Sequence, residues 1–206
     1  MSYQYYDKNA DRFLNDTANL DMSGHYQRFL GYLDAGSSVL DAGCGSGRDA
    51  KFFADRGYTV HAFDVSTTMV DATKALLGSS GSVHHHDFVD IAQCAEYPSV
   101  FDGIWACASL LHVPGGERAV MKAIQCLAEK LAPKGILFVS FKVGNGSRVD
   151  AWGRYFFNAT AASLPSIIPS GFAATKIWET GDELGREDVR WLSAIIMRHE
   201  EEQLVV

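Results

Sequence analysis

The stretch VLDAGCGSGRDA, residues 39–50, carries three glycines in five positions directly behind an apolar run. Glycine allows tight turns and close approach of another group, at an entropic cost to folding. Side chains given up at the end of a strand-like run, just where a helical pattern opens, leave a backbone cradle at a strand-to-helix junction. In an open α/β sheet that junction faces the crevice where ligands bind, beyond the carboxyl ends of the strands. Two ligand classes compete for such a loop. A nicotinamide dinucleotide uses G-x-G-x-x-G, with its pyrophosphate on the helix N-terminus. Here Gly43, Gly45 and Gly47 give G-x-G-x-G, and Asp41 stands two residues ahead of the first glycine. A carboxylate there faces a pyrophosphate unfavourably and suits a ligand with a cationic end.

The rest of the chain supplies the sheet this loop needs. Apolar segments at 38–41, 58–63, 82–86, 103–106 and 136–141 alternate with helical patterns at 51–56, 67–77 and 117–131. Strands alternating with helices argue for a parallel sheet covered on both faces. Pro133-Lys134-Gly135 punctuates the end of the last helix. Two further strand-like runs, 173–179 and 191–198, have no helix between them and predict an antiparallel C-terminal pair. The expectation is therefore an α/β, Rossmann-like, mostly parallel seven-stranded sheet. One domain is expected over 1–206, with a helical cap at 1–35, a ligand-binding core at 36–142, and a substrate-side loop and edge strands at 143–206.

Composition narrows the partners. Charged residues make up 21% of the chain and the net charge is −7, without a block of like charges. A phosphate backbone or an anionic membrane wants a basic face, so neither is expected. No run approaches the roughly 18 apolar residues that span a bilayer. Cys44, Cys94, Cys107 and Cys126 form no CxxC pair and read as free thiols, which with the polar start suggests a cytoplasmic protein.

DAGCGSG, Asp64 ending HAFDVS, Asp87 in HHHDFVDI, FDGIWACASLLHVP and LAPKGILFVSF together resemble the ordered motifs of the class I S-adenosylmethionine-dependent methyltransferases. YYDKNADRF, SGRDAKFFADRGY and GRYF look most like their small-molecule branch, which includes tellurite-resistance-like enzymes. The resemblance implies S-adenosyl-L-methionine as cofactor and a small-molecule methyl acceptor. It implies that Gly43, Gly45, Gly47 and Arg48 cradle the methionine moiety, with Asp41 near its ammonium and Ala106 close by. Asp64 would accept both ribose hydroxyls, since two O–H donors match two carboxylate oxygens. Val65 and Met69 would flank the adenine, and Asp87 with Phe88 would meet its amino group.

His112 follows the fourth strand and is the side chain expected nearest the reacting centre, as a general base or as a structural hydrogen bonder. The connection VGNGSRVDAWGRYFFNAT is long enough to suggest a lid. Arg148, Arg154 and Tyr155 in it, and Tyr6 in the N-terminal segment, are the expected acceptor contacts. The run His84-His85-His86 is not read as a metal site, because at most His84 and His86 can share one side of a strand and no third ligand is evident. Two rivals remain from the sequence alone. One is a catalytically silent S-adenosylmethionine-binding regulatory module, the other an NAD-dependent oxidoreductase.

Overall fold

A computed structural model describes residues 2–199; residue 1 and residues 200–206 of the expected domain lie outside the described residues. The N-terminal segment forms three short helices, α1 (Ser2–Lys8), α2 (Ala10–Thr17) and α3 (Ser23–Leu30). Then β1 (Ser38–Ala42), α4 (Arg48–Ala54), β2 (Thr59–Asp64), α5 (Thr67–Leu77), β3 (Gly81–His85), β4 (Phe101–Ala106), α6 (Gly116–Ala128) and β5 (Leu131–Val143) follow in alternation. All seven expected strands form. Two more, β6 (Gly146–Val149) and β7 (Tyr155–Ala159), come from the connection expected as an irregular lid. The chain closes with β8 (Phe172–Thr180) and β9 (Trp191–Arg198).

The strand order is β3-β2-β1-β4-β5-β7-β6. From β3 to β5 every neighbouring pair is parallel. β9 lies antiparallel along β5 from Ile136 to Lys142, and β8 pairs antiparallel with β9. The chain steps from β1 outward to β2 and β3, then returns to the other side of β1 for β4. That reversal opens a crevice at the carboxyl ends of β1 and β4.

Alternation along the central strands divides the core between two faces. Leu40, Ile104, Leu137 and Val139 pack with Val120, Ile124 and Leu127 of α6. Val39, Trp105, Ile136 and Phe138 pack with Tyr26 and Phe29 of α3 and Phe53 of α4. Trp105 stacks on Phe138 with ring centroids 3.9 Å apart, a pairing worth about 0.5–1.5 kcal/mol beyond its burial. β5 begins at Leu131, earlier than the Pro133–Gly135 punctuation suggested, and α6 stops at Ala128. A Cβ on Gly135 would lie 2.8 Å from the Phe101 carbonyl oxygen, so this glycine marks a close strand approach beside the register shift in β4.

Candidate active site

The crevice holds a cavity of about 840 Å³, within the range of about 300–1,000 Å³ typical of small-molecule sites. Its floor is the glycine loop. Gly43 (φ +80°) has no room for a side chain, since a Cβ would lie 2.5 Å from Ser109 Cβ. Ser109 Oγ donates to the Ala42 carbonyl at 2.7 Å, so the ends of β1 and β4 are clamped edge to edge. The Gly43 and Cys44 amides both donate to the Phe63 carbonyl at 2.9 Å, which ties the loop to β2. Gly43, Gly45 and Arg48 line the cavity; Gly47 does not. Gly47 turns beneath the loop at φ +75° and caps α4, where a Cβ would meet Thr73 Oγ1 at 2.9 Å.

Asp64 ends β2 at the cavity wall. Its Oδ2 accepts from the Gly45 amide and its Oδ1 from the Ser66 amide, each at 2.9 Å. Each oxygen keeps a further lone pair, so two hydroxyl donors can still be received. Burial raises the pKa of this carboxyl, opposed by those two amides. Val65, Met69, Asp87 and Phe88 line the adjoining wall. Ala106 is fully buried inside the sheet and does not reach the cavity.

Asp41 corrects the sequence reading. It lies behind the loop, 2% exposed, where its Oδ2 accepts from the Ala50 amide at 3.0 Å and the side chain does not line the cavity. Burial and the neighbouring Asp49 charge push its carboxyl well above the ordinary range. The loop's carboxylate on the cavity side is Asp49, which sequence reasoning missed. Arg48 Nε donates to Asp49 Oδ1 at 2.6 Å and Nη2 to Oδ2 at 2.9 Å; Trp105 Nε1 donates to Oδ2 at 2.8 Å and the Tyr26 hydroxyl to Oδ1. Burial raises the Asp49 pKa, but the Arg48 charge and these donors outweigh it and hold the carboxylate ionised. The clue was Asp at the second position of a helix beside an arginine.

The chain leaves β4 through Ala108, the one described residue other than glycine with positive φ, at +51°. Its amide is held by Ser140 Oγ of β5 at 2.8 Å. Strain of this kind persists where the surroundings over-determine the backbone, and here it launches the turn that carries His112. His112 Nδ1 lies 2.8 Å from the Tyr155 carbonyl and Nε2 lies 2.7 Å from the Tyr6 hydroxyl. A carbonyl only accepts, so Nδ1 carries the proton and Nε2 offers its lone pair to the Tyr6 hydroxyl. Burial holds the imidazole neutral, down to about 4, and pushes the Tyr6 hydroxyl up to about 12.

Tyr6 and Arg154 line the cavity, as expected. Arg154 pairs with Asp150 (Nη2–Oδ2 2.7 Å), and its guanidinium sits 4.6 Å above the Tyr5 ring. Two expected acceptor contacts fall outside the cavity. Arg148 is exposed on β6, its guanidinium 4.6 Å from the centroid of the Phe156 ring. The Tyr155 hydroxyl is turned toward the start of α6, where it receives the Gly116 amide at 2.8 Å and donates to Ser147 Oγ. On strands, neighbouring side chains face opposite ways, and the hairpin sets Arg154 inward and Tyr155 outward.

Lys142, near the end of β5, was not singled out by sequence. It lines the cavity half-buried, with Nζ 4.3 Å from the Phe156 ring centroid and 5.9 Å from that of Trp191. Burial and the charges of Arg186, Arg148 and Arg154 hold its ammonium down to about 8. Two of these arginines are paired, Arg154 with Asp150 and Arg186 with Asp182 at 2.6 Å. Among the described residues Lys142 has no carboxylate in ion-pair contact.

Known proteins share this architecture. The family model described as a methyltransferase domain matches residues 14–167. The chain is 31% identical over 122 residues to methyltransferase GfsG of Streptomyces halstedii, covering 57% of this chain and 42% of that protein. It is 32% identical over 139 residues to a ubiquinone biosynthesis O-methyltransferase of Azoarcus sp., covering 66% and 55%. The chain thus spans about half the length of these curated relatives. Among solved structures, Burkholderia thailandensis 1,6-didemethyltoxoflavin-N1-methyltransferase superposes with a TM-score of 0.74 at 19% identity, over 96% of this chain and 85% of that one.

Proposed function

The chain belongs to the class I S-adenosylmethionine-dependent methyltransferases, and from that premise we propose that it methylates a hydroxyl group of a small, anionic acceptor. The observation that carries this reading is the lone pair of His112 Nε2 directed across the cavity, with its tautomer set by the Tyr155 carbonyl. A sulfonium donor needs no activation, and a dedicated base helps when the acceptor atom is protonated. The relatives named as O-methyltransferases support the same direction.

The residues present fit S-adenosylmethionine. Asp64 has two oxygens for the ribose hydroxyls, Gly43 and Gly45 set no side chain between the loop backbone and the methionine moiety, and Val65, Met69 and Phe88 give an apolar slot for the adenine. Bound there, the cofactor supplies an electrophilic methyl group. His112 takes the proton of the acceptor hydroxyl on Nε2, in the place where Tyr6 now donates. Lys142 faces the acceptor's anionic group, with Phe156 between it and His112 as an apolar wall: His112 packs on that ring at 4.8 Å and Lys142 Nζ at 4.3 Å. Tyr5, Tyr6 and Phe13 of α1 and α2 roof the cavity and keep water from the reaction. Holding nucleophile and methyl group in line supplies about 7–11 kcal/mol of the barrier reduction.

The test is turnover of S-adenosylmethionine to S-adenosylhomocysteine against matched panels of hydroxy acids, their neutral amides, amines and thiols. Turnover of the hydroxy acids alone supports the reading. Turnover confined to thiols or amines replaces it, and binding without turnover on any panel leaves the silent regulatory module.

A further inference from the structure

The three histidines at the end of β3 do not act alike. His85 turns away, its Nε2 2.9 Å from the Val65 carbonyl. His84 and His86 share one side, with ring centroids 6.1 Å apart. The chain then loops through a single helical turn, Ile91–Gln93, and returns Cys94 and Glu96 onto those two rings. His86 Nε2 lies 2.7 Å from Glu96 Oε2, and His84 Nδ1 lies 3.4 Å from Glu96 Oε1. Cys94 Sγ lies 3.2 Å from His86 Nε2 and 3.5 Å from Glu96 Oε2. One ligand atom each from His84, His86 and Glu96 lies within 4.8 Å of the other two. Tyr97 walls the group, edge-on to both imidazoles at 5.0 and 5.8 Å, and is itself anchored through its hydroxyl to the Ala62 carbonyl at 3.0 Å.

We propose that His84, His86, Cys94 and Glu96 form a structural zinc site. The donor set is two imidazoles, a thiol and a carboxylate, the nitrogen, sulfur and oxygen ligands zinc takes in tetrahedral sites. With bonds of about 2.0–2.3 Å, tetrahedral ligand atoms stand about 3.4–3.6 Å apart. Three of the four spacings above are within about 0.2 Å of that window and the fourth is a hydrogen bond that opens by less than about 1 Å; the converging group itself is His84, His86 and Glu96, and Cys94 joins it from the side of His86 and Glu96. Charge also balances. Two neutral imidazoles, one thiolate and one carboxylate neutralise a divalent ion, and binding displaces the Cys94 thiol proton to solvent as the Zn–S bond forms. Four protein ligands leave no open position, which makes the site structural rather than catalytic.

The placement gives the ion a consequence. His86 lines the main cavity and is followed at once by Asp87 and Phe88. Those two residues sit between the strand ligands and the returning loop, so closing the tetrahedron orders the adenine wall.

The experiment uses the full chain stripped with a chelator and titrated with zinc chloride by calorimetry, and with cobalt(II) by absorption spectroscopy. One equivalent of zinc should bind, and cobalt should give tetrahedral visible bands with a thiolate charge-transfer band in the near ultraviolet. The thiolate band should vanish in Cys94→Ser. Losing even a partner that supports a ligand costs about 10–100-fold in metal affinity, so His84→Ala should weaken zinc at least that much. Titration of both metal-free variants with S-adenosylhomocysteine, at wild-type metal-free affinity, establishes that they fold and keeps this result separate from the methyltransferase reading. No stoichiometric binding, octahedral cobalt spectra, or zinc binding unchanged in both variants overturns the site.

Discussion

Tyr6 and His112, 106 residues apart, meet across the cavity in a 2.7 Å hydrogen bond. Tyr6 sits on a helix whose described side chains, from Gln4 to Lys8, are all exposed or half-buried, and His112 on the turn that the strained Ala108 launches. The bond therefore joins the roof of the site to the imidazole proposed as its base. An acceptor hydroxyl that reaches Nε2 must displace the Tyr6 hydroxyl, which couples acceptor entry to movement of the roof.

His112→Gln should lower kcat by about 10²–10⁴-fold, the usual contribution of a general base. S-adenosylhomocysteine affinity should stay unchanged, because the residue stands on the acceptor side. Calorimetry beside a turnover assay checks both halves; equal loss of binding and turnover assigns His112 a structural role.

The same residue sets an acid limit on stability. Its folded pKa lies near 4, below the ordinary 6.5. Between those values the unfolded chain takes up a proton that the folded chain refuses, so the stability from neutral His112 is complete above about pH 6.5 and is lost as pH falls toward 4. Tm measured from pH 7 to 4.5 should drop more in the wild type than in His112→Gln.

Asp64→Ala should weaken S-adenosylhomocysteine binding by about 10²- to 10⁴-fold, since two hydrogen bonds to a charged group are lost at about 1.5–3 kcal/mol each. An unchanged dissociation constant in calorimetric titration removes Asp64 from the ribose.

Lys142→Met should raise KM for a carboxylate-bearing acceptor by about tenfold or more and leave that of its neutral amide alone. The ammonium is held down to about 8, so KM for the anionic acceptor should climb as pH rises through 8 in the wild type and stay flat in the variant. Parallel changes for acid and amide defeat the charge argument.

Asp49→Ala should be the most destabilising of these changes, by about 3–5 kcal/mol. It strands the Arg48 guanidinium and leaves the Trp105 and Tyr26 donors unmatched in the core. The shift of the denaturation midpoint in urea measures it.

The legible part of this molecule was its sheet. Several of the seven expected strands end in a polar residue or glycine that hands over to a helical pattern, and the apolar runs are too short for anything else. The β6–β7 hairpin escaped because its strands, GSRV and YFFNA, are short and lie among glycines that read as loop. Facing was harder still. Spacing put Asp41 and Asp64 at strand ends alike, but only tertiary packing decides that Asp64 looks into the cavity and Asp41 behind it. Lys142 is the penultimate residue of a strand whose preceding run, Ile136–Phe141, is apolar but for Ser140, and that no carboxylate among the described residues pairs with it is legible only in three dimensions. The histidine run was half-read: the shared side of His84 and His86 follows from strand geometry, whereas Cys94 and Glu96 arrive by a loop whose path no local pattern fixes.

The atom that chooses which nitrogen of His112 is basic belongs to the main chain, the carbonyl of Tyr155. No substitution at position 155 deletes it, so this feature is shielded from point mutation in a way a side-chain partner would not be. It is exposed instead to changes in length. One residue inserted or lost between β6 and β7 shifts the register that brings this carbonyl beneath the imidazole, while every residue of the site stays in the sequence. Over descent, the chemistry of this pocket is guarded by the spacing of a hairpin, and it can disappear without any of its side chains being replaced.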